Sequence, residues 1–184
     1  MRKLLEDYII KLYRDVPISV YEGMAIVFCI GAVVMMAFLG LKKGLQYLSG
    51  LLLAEYVFLL FYKTVLVRSF NEKLGHDFHP FWSYTAIQEG KEKLILENLM
   101  NVAVFVPVGL LLGCAFRNMK WWMVLLIGGG VSVAIEAMQF VLKRGFAETD
   151  DVMHNTAGCM IGYGLYKLAR YGRERIGKRF VAVL

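Results

Sequence analysis

Five stretches of the chain run almost without charge. Residues 23–40 carry none, and 45–67 are apolar apart from Glu55 and Lys63. Residues 99–116 are uncharged, 121–142 hold only Glu136, and 152–166 hold none. These runs are continuous rather than alternating, so they read as helices and not as strands of a transmembrane barrel. A helix needs roughly 20 mostly apolar residues to cross the hydrocarbon core of a bilayer. The pattern therefore predicts an all-α fold, a polytopic membrane helix bundle of about five transmembrane helices, at about 19–41, 46–67, 94–116, 121–142 and 152–170. The first 16 residues differ. Leu4, Leu5, Tyr8, Ile9, Leu12 and Tyr13 recur at helical spacing, interleaved with Arg2, Lys3, Lys11 and Arg14. That is the pattern of an amphipathic helix lying in the membrane interface.

Composition strengthens the membrane assignment. Of 184 residues, 58% are hydrophobic, against 20% charged, and the mean hydropathy is +0.54. A soluble bundle built from five such runs would lack the polar surface to cover them. The three cysteines, Cys29, Cys114 and Cys159, all fall inside the expected spans and read as packing residues, not as a disulfide framework. The expected organisation is an interfacial helix at 1–17, a transmembrane domain at 18–170 and a basic tail at 171–184.

Five spans place the termini on opposite sides. With the amphipathic segment set aside, the connections of the last four spans carry ten Lys/Arg on the side of the carboxyl tail and six on the side of the 68–93 and 143–151 loops. The positive-inside bias favours a cytoplasmic tail, with those two loops outside.

Polar residues inside spans are costly and mark functional sites by default. Here they fall on shared faces. Asn98 and Asn101 lie one turn apart on the third span. Ser132, Glu136, Gln139 and Lys143 share a face of the fourth, and Asp151, Asn155, Gly158 and Gly162 share a face of the fifth. At 1.5 Å per residue, Asn101, Glu136 and Gly158 lie about 10 Å inside the same leaflet, and Gln139 and Asn155 about 5 Å inside. Pro107 stands mid-span, where it frees a carbonyl near residue 103 and favours a kink. Gly109 and the Gly158/Gly162 pair allow close helix approach.

These residues carry a resemblance. The stretch from Asn98 through Asn101, Pro107 and Gly109 resembles the N…FxPxG signature of the VanZ-like family of bacterial integral membrane proteins. Ser132, Glu136, Gln139, Arg144, Asp151, Asn155, Gly158, Gly162 and Tyr163 resemble that family's S…E..Q…R…D…N..G…GY block, and Pro80-Phe81 its PF element. The resemblance covers about 78–166. The first span and the amphipathic segment read as an extension of a core at about 46–170. It implies a multi-pass protein of the bacterial plasma membrane and cell envelope, associated with susceptibility to the glycopeptide antibiotic teicoplanin. By this resemblance Asn98, Asn101, Pro107, Gly109, Glu136, Gln139, Arg144, Asp151, Asn155, Gly158 and Gly162 are motif positions; the polar ones among them, Asn98, Asn101, Glu136, Gln139, Arg144, Asp151 and Asn155, are the ligand-binding candidates, and Pro107, Gly109, Gly158 and Gly162 are structural.

Glu136 has two readings. It carries protons or holds a cationic or amide-rich ligand, or it is structural and satisfied by Asn98, Asn101 or Arg144. Asn101, Gln139 and Asn155 share a ligand with it or join helices. Asp150 and Asp151 suit the positive end of the fifth span as caps. His76-x-x-His79 has the look of a metal motif, but a proline follows at once and no metal is expected. No P-loop, nucleotide fingerprint or nucleophile elbow appears, so no cofactor and no nucleic acid is implied; the basic carboxyl end reads as an anionic-lipid contact. Two functional classes follow. One is an envelope protein that binds a membrane lipid, a lipid-linked or peptide-bearing cell-wall component, or a glycopeptide in a polar outer-leaflet cavity. The other is a membrane-embedded enzyme or transporter that works on a lipid headgroup with Glu136 and Asp151 as the catalytic candidates. A homodimer sharing Gly158/Gly162 faces is compatible with either.

Overall fold

The computed structural model of the chain describes residue 6 and residues 16–72 and 75–181. Most of the expected amphipathic segment and residues 182–184 of the tail lie outside the described residues. What is described is a helical bundle. Helix α1, Ile18–Phe61, is two arms: Gly40 interrupts it with φ 70° and ψ 168°, a left-handed backbone that glycine adopts without strain. The arms fold back on each other, bringing Gly31 against Leu51 and Gly44 against Met35 and Met36. They form the candidate spans Ile18–Leu41 and Lys43–Leu66, the second ending in a π-helical turn over Tyr62–Leu66. After a long connection come the short helix α2, Trp82–Gln88, then α3, Lys93–Ala115, and α4, Trp121–Leu142. The chain closes with α5, Thr149–Val181.

Among the described residues, four helices are long and apolar enough to cross a membrane: the two arms of α1, α3 and α4. The expected fifth span is part of α5, whose His154, Asn155, three glycines and tyrosines dilute its hydropathy. Its contacts run the length of the bundle instead. Asn101 bonds Asp151 at one end, and Arg170 bonds the Arg117 carbonyl at the other. From Asp151 to Arg170, 19 steps along α5, the helix rises about 28 Å, close to the thickness of the hydrocarbon core. Helix α5 runs parallel to α3 and antiparallel to α4, where Gly128 meets Cys159 and Ser132 meets Asn155.

The α3–α5 contact is backbone on backbone. A Cβ on Gly158 would land on the Val102 carbonyl oxygen, one on Gly162 on that of Val106, and one on Gly109 on that of Cys159. The Gly158/Gly162 face is therefore filled by α3 of the same chain and is not open to a second copy. Around this seam Val108, Leu112, Val124, Ile135, Cys159 and Phe105 form the core. Helix α3 continues through Pro107, and the Tyr56 hydroxyl donates to the neighbouring Val104 carbonyl at 2.8 Å, so the second arm supplies a donor beside the gap in the helix ladder.

Two short strands, β1 (His76–Asp77) and β2 (Ala147–Glu148), pair in parallel, His76 opposite Ala147 and Asp77 opposite Glu148. They tie the 68–93 connection to the 143–148 loop on the same end of the bundle. Gly145 and Ala147 are buried, so the 143–148 loop dips inward instead of lying on the surface.

The seam predicts opposite outcomes for two glycines. Gly162→Ala has to push two helix backbones apart and should cost about 1–3 kcal/mol, as overpacked cores do. Gly164→Ala, with open space around it, should be neutral or slightly stabilising because alanine favours helix. Thermal unfolding of the two variants in detergent checks this; equal midpoints would contradict the seam.

Candidate functional site

The polar residues of α3, α4 and α5 meet in one layer at the end that carries the 68–93 and 143–148 connections. They meet as adjoining pairs. Asn101 Nδ2 donates to Asp151 Oδ1 at 2.6 Å, and Asn155 Nδ2 to Ser132 Oγ at 2.8 Å. Asn98 Nδ2 donates to Ser83 Oγ at 3.0 Å. Glu136 is 7% exposed, and its Oε2 accepts the backbone N–H of Glu148 at 3.0 Å. Gln139 Nε2 donates to the Thr64 carbonyl at 3.1 Å, while its Oε1 is buried without a hydrogen-bond partner.

Each pair follows from local structure. The π-helical turn at Tyr62–Leu66 ends the second arm and leaves carbonyls exposed to α4. Gln139 takes that of Thr64, and Arg144 Nη1 takes that of Leu66 at 2.8 Å. Arg144, one of three partners that the structural reading offered Glu136, is thus a cap of the second arm. Nor do Asn98 or Asn101 satisfy Glu136: both amides are turned toward other partners, and the inward-dipping loop supplies its donor. Lys143, left-handed at φ 51°, ends α4 and starts that dip.

Asp150, one of the two expected caps of α5, serves another helix. Its Oδ1 accepts the Phe81 N–H at 2.6 Å, and its Oδ2 accepts the Ser83 N–H at 2.9 Å and hydroxyl at 2.5 Å. It so caps the amino end of α2, which the left-handed Phe81 precedes without a side-chain cap of its own. Through Ser83 this cap reaches Asn98. The Tyr84 hydroxyl pairs with His154 Nε2 at 2.9 Å, a second link between α2 and α5. His79 Nδ1 lies 2.9 Å from Asp77 Oδ1, and His76 packs on Phe78 and Phe140, so the two histidines of the His-x-x-His element engage different neighbours.

Three residues of the layer were not legible as such in the sequence. Arg68, at the start of the 68–93 connection, lies against Gly145 and Gln139 and within electrostatic reach of both Glu136 and Asp151. Ser83 bridges Asp150 and Asn98 from a helix of seven residues. Glu148 is brought in by the buried loop. Its carboxyl is pushed up to about 8, first by burial and then by the charges of Asp151 and Glu136, with the Trp82 indole opposing. Its position two residues before Asp150 in a charged loop was the one available signal.

The result is a polar layer with three carboxyl groups, one nearby guanidinium and an unpartnered amide oxygen, at the end of the bundle. With Glu148 protonated at neutral pH, such a site offers acceptor oxygens to amide or ammonium N–H groups and one carboxyl proton to donate.

Against this geometry the comparison with known families is decisive. The VanZ/LLP1 family model matches residues 26–170. The chain belongs to the VanZ/LLP1 family. The match starts inside the first arm of α1 and takes in every residue of the polar layer. Protein VanZ of Enterococcus faecium is 35% identical over 77 residues, which cover 40% of this chain and 45% of that protein. The chain thus spans less than half the length of that curated relative. No solved structure matches it. Family membership and the apolar helices together make this a membrane protein.

The raised Glu148 carboxyl gives a signed pH dependence. The folded chain holds this proton from about pH 4.5 to about 8, whereas the unfolded chain has lost it. Stability drawn from this group is full at low pH and falls as pH rises through that window. Glu148→Gln should match the parent at pH 5 and melt higher than it at pH 8.5. A gain of the same size at both pH values would show that the charge is not the cause.

Proposed function

We propose that this protein is a cell-envelope binding protein. In this reading it holds a lipid-linked or peptide-bearing envelope component by the N–H groups of that component's peptide, and so alters susceptibility to glycopeptides such as teicoplanin. The observation that carries the reading is the carboxyl cluster of Glu136, Glu148 and Asp151 beside the free Gln139 oxygen. Peptide stems are rich in amides and ammonium groups, which complement such acceptors. The relative named Protein VanZ supports the link to the envelope by likeness alone.

The orientation that this requires places the polar layer toward the outside and the carboxyl end in the cytoplasm. The charge count over the last four spans supports it. Single cysteines at Glu89 and Asn118, both exposed and at opposite ends, test it in a background with the three native cysteines replaced. Glu89→Cys should react with an impermeant thiol reagent in intact cells and Asn118→Cys only after lysis. The reverse pattern would overturn the orientation.

Glu136 tests the function. Glu136→Gln keeps the shape and an oxygen to accept the Glu148 N–H while removing the titratable proton. A structural carboxylate tolerates this, since a desolvation cost disappears. The variant should express and melt like the parent and lose glycopeptide tolerance in cells that carry it. Full tolerance would reduce the layer to a helix-packing device.

A second reading, an enzyme or transporter acting on a lipid headgroup through Glu136 and Asp151, draws on Glu148, whose carboxyl near 8 suits proton exchange at neutral pH. It predicts a changed lipid profile in cells expressing the protein, abolished by Glu136→Gln; the binding reading predicts none.

A further inference from the structure

The opposite end of the bundle has its own chemistry. The 116–120 connection and the part of α5 beyond Tyr163 enclose a surface recess of about 950 Å³. Arg117, Lys120, Lys167 and Arg170 line it, against one carboxylate, Glu174. Glu174 is held by Arg170, whose Nε lies 2.9 Å from its Oε1. The other edge of Arg170 donates through Nη1 to the Arg117 carbonyl at 2.7 Å, which anchors α5 to the connection. The Tyr163 hydroxyl bonds the Met119 carbonyl on the floor, and the Lys167 ammonium sits 5.3 Å from the Tyr163 ring centroid. These contacts fix the walls while three further cations remain around the opening. The recess also receives the amino end of α4: Lys120 precedes it in extended conformation, and no side chain caps its first turn. Four cationic side chains and the positive end of a 22-residue helix therefore face one space.

The surroundings say what kind of anion fits. Trp121 and Trp122, 62% and 46% exposed, flank the recess where α4 begins. Exposed tryptophans at span ends mark headgroup depth. Leu168, also exposed, lies one turn from Tyr171 on the same stretch of α5. A soluble phosphate has no use for this apolar rim, whereas a phospholipid places its phosphate among the cations and its acyl chains along the tryptophans.

We propose that this recess is a binding site for the phosphate headgroup of an anionic phospholipid. It lies at the end away from the carboxyl cluster and stands independently of the function proposed above. The site anchors the connection between α3 and α4 and the carboxyl half of α5 to one leaflet.

The test uses the purified full chain in neutral detergent micelles, titrated with phosphatidylglycerol, with phosphatidylcholine or with inorganic phosphate while the unfolding midpoint is followed. Phosphatidylglycerol should raise the midpoint, and the other two should not. Lys120→Gln should need about fivefold more phosphatidylglycerol for the half-maximal shift, and Lys120→Gln with Lys167→Gln about 25-fold more, from the usual worth of one cation near an anionic surface. Arg173→Gln, a cation of α5 outside the recess, should titrate like the parent. An equal shift with phosphatidylcholine, or the same shift with inorganic phosphate, would overturn the lipid assignment. So would parent-like titration of Lys120→Gln, whose exposed side chain leaves folding untouched, or a loss in Arg173→Gln as large as in Lys120→Gln.

Discussion

Helices α3 and α5 touch through their backbones, and the position of nearly everything else depends on that contact. In a bilayer no hydrophobic effect drives helices together, so close packing and hydrogen bonds must hold them. Gly109, Gly158 and Gly162 remove the side chains that would keep the two apart. With the axes this close and parallel, Asp151 falls beside Asn101 at one end, and Arg170 falls on the Arg117 carbonyl at the other. Helix α4 then packs antiparallel on α5, Gly128 receiving Cys159, and this brings Asn155 to Ser132. Each pair sets the register of the next.

The polar layer follows a second constraint. Polar atoms withdrawn from water need partners within the protein. The amide nitrogens of Asn98, Asn101, Gln139 and Asn155 each find one, and Asp150 absorbs three donors around α2. Connections that would ordinarily lie on the surface are drawn inward to complete the set. The 143–148 loop offers its backbone to Glu136, and α2 is fastened down over Asn98. Three carboxyls with Arg68 beside them and a free Gln139 oxygen are gathered at one place. The two ends of the molecule thus differ in kind: one gathers acceptors, the other gathers cations and tryptophans.

Periodicity and charge determined the helices. An uncharged run of about 20 residues has little choice but to span, and the expected starts and ends agree with α3 and α4 within a residue or so. The small-residue face of α5 and the shared faces of Asn98/Asn101 and Ser132/Glu136/Gln139 were also legible, because helical spacing alone puts them together. The family assignment rested on the same positions. Only the tertiary structure decided which partner each side chain takes. Arg144 turned out to cap the second arm while Arg68 faces the carboxylates, because a π-helical turn aims the Leu66 carbonyl at Arg144. Asp150 caps a helix more than 60 residues away in sequence, and Glu148 joins the cluster because its loop folds inward. Those outcomes depend on contacts between segments distant along the chain, and a one-dimensional pattern holds no record of which segment comes near which.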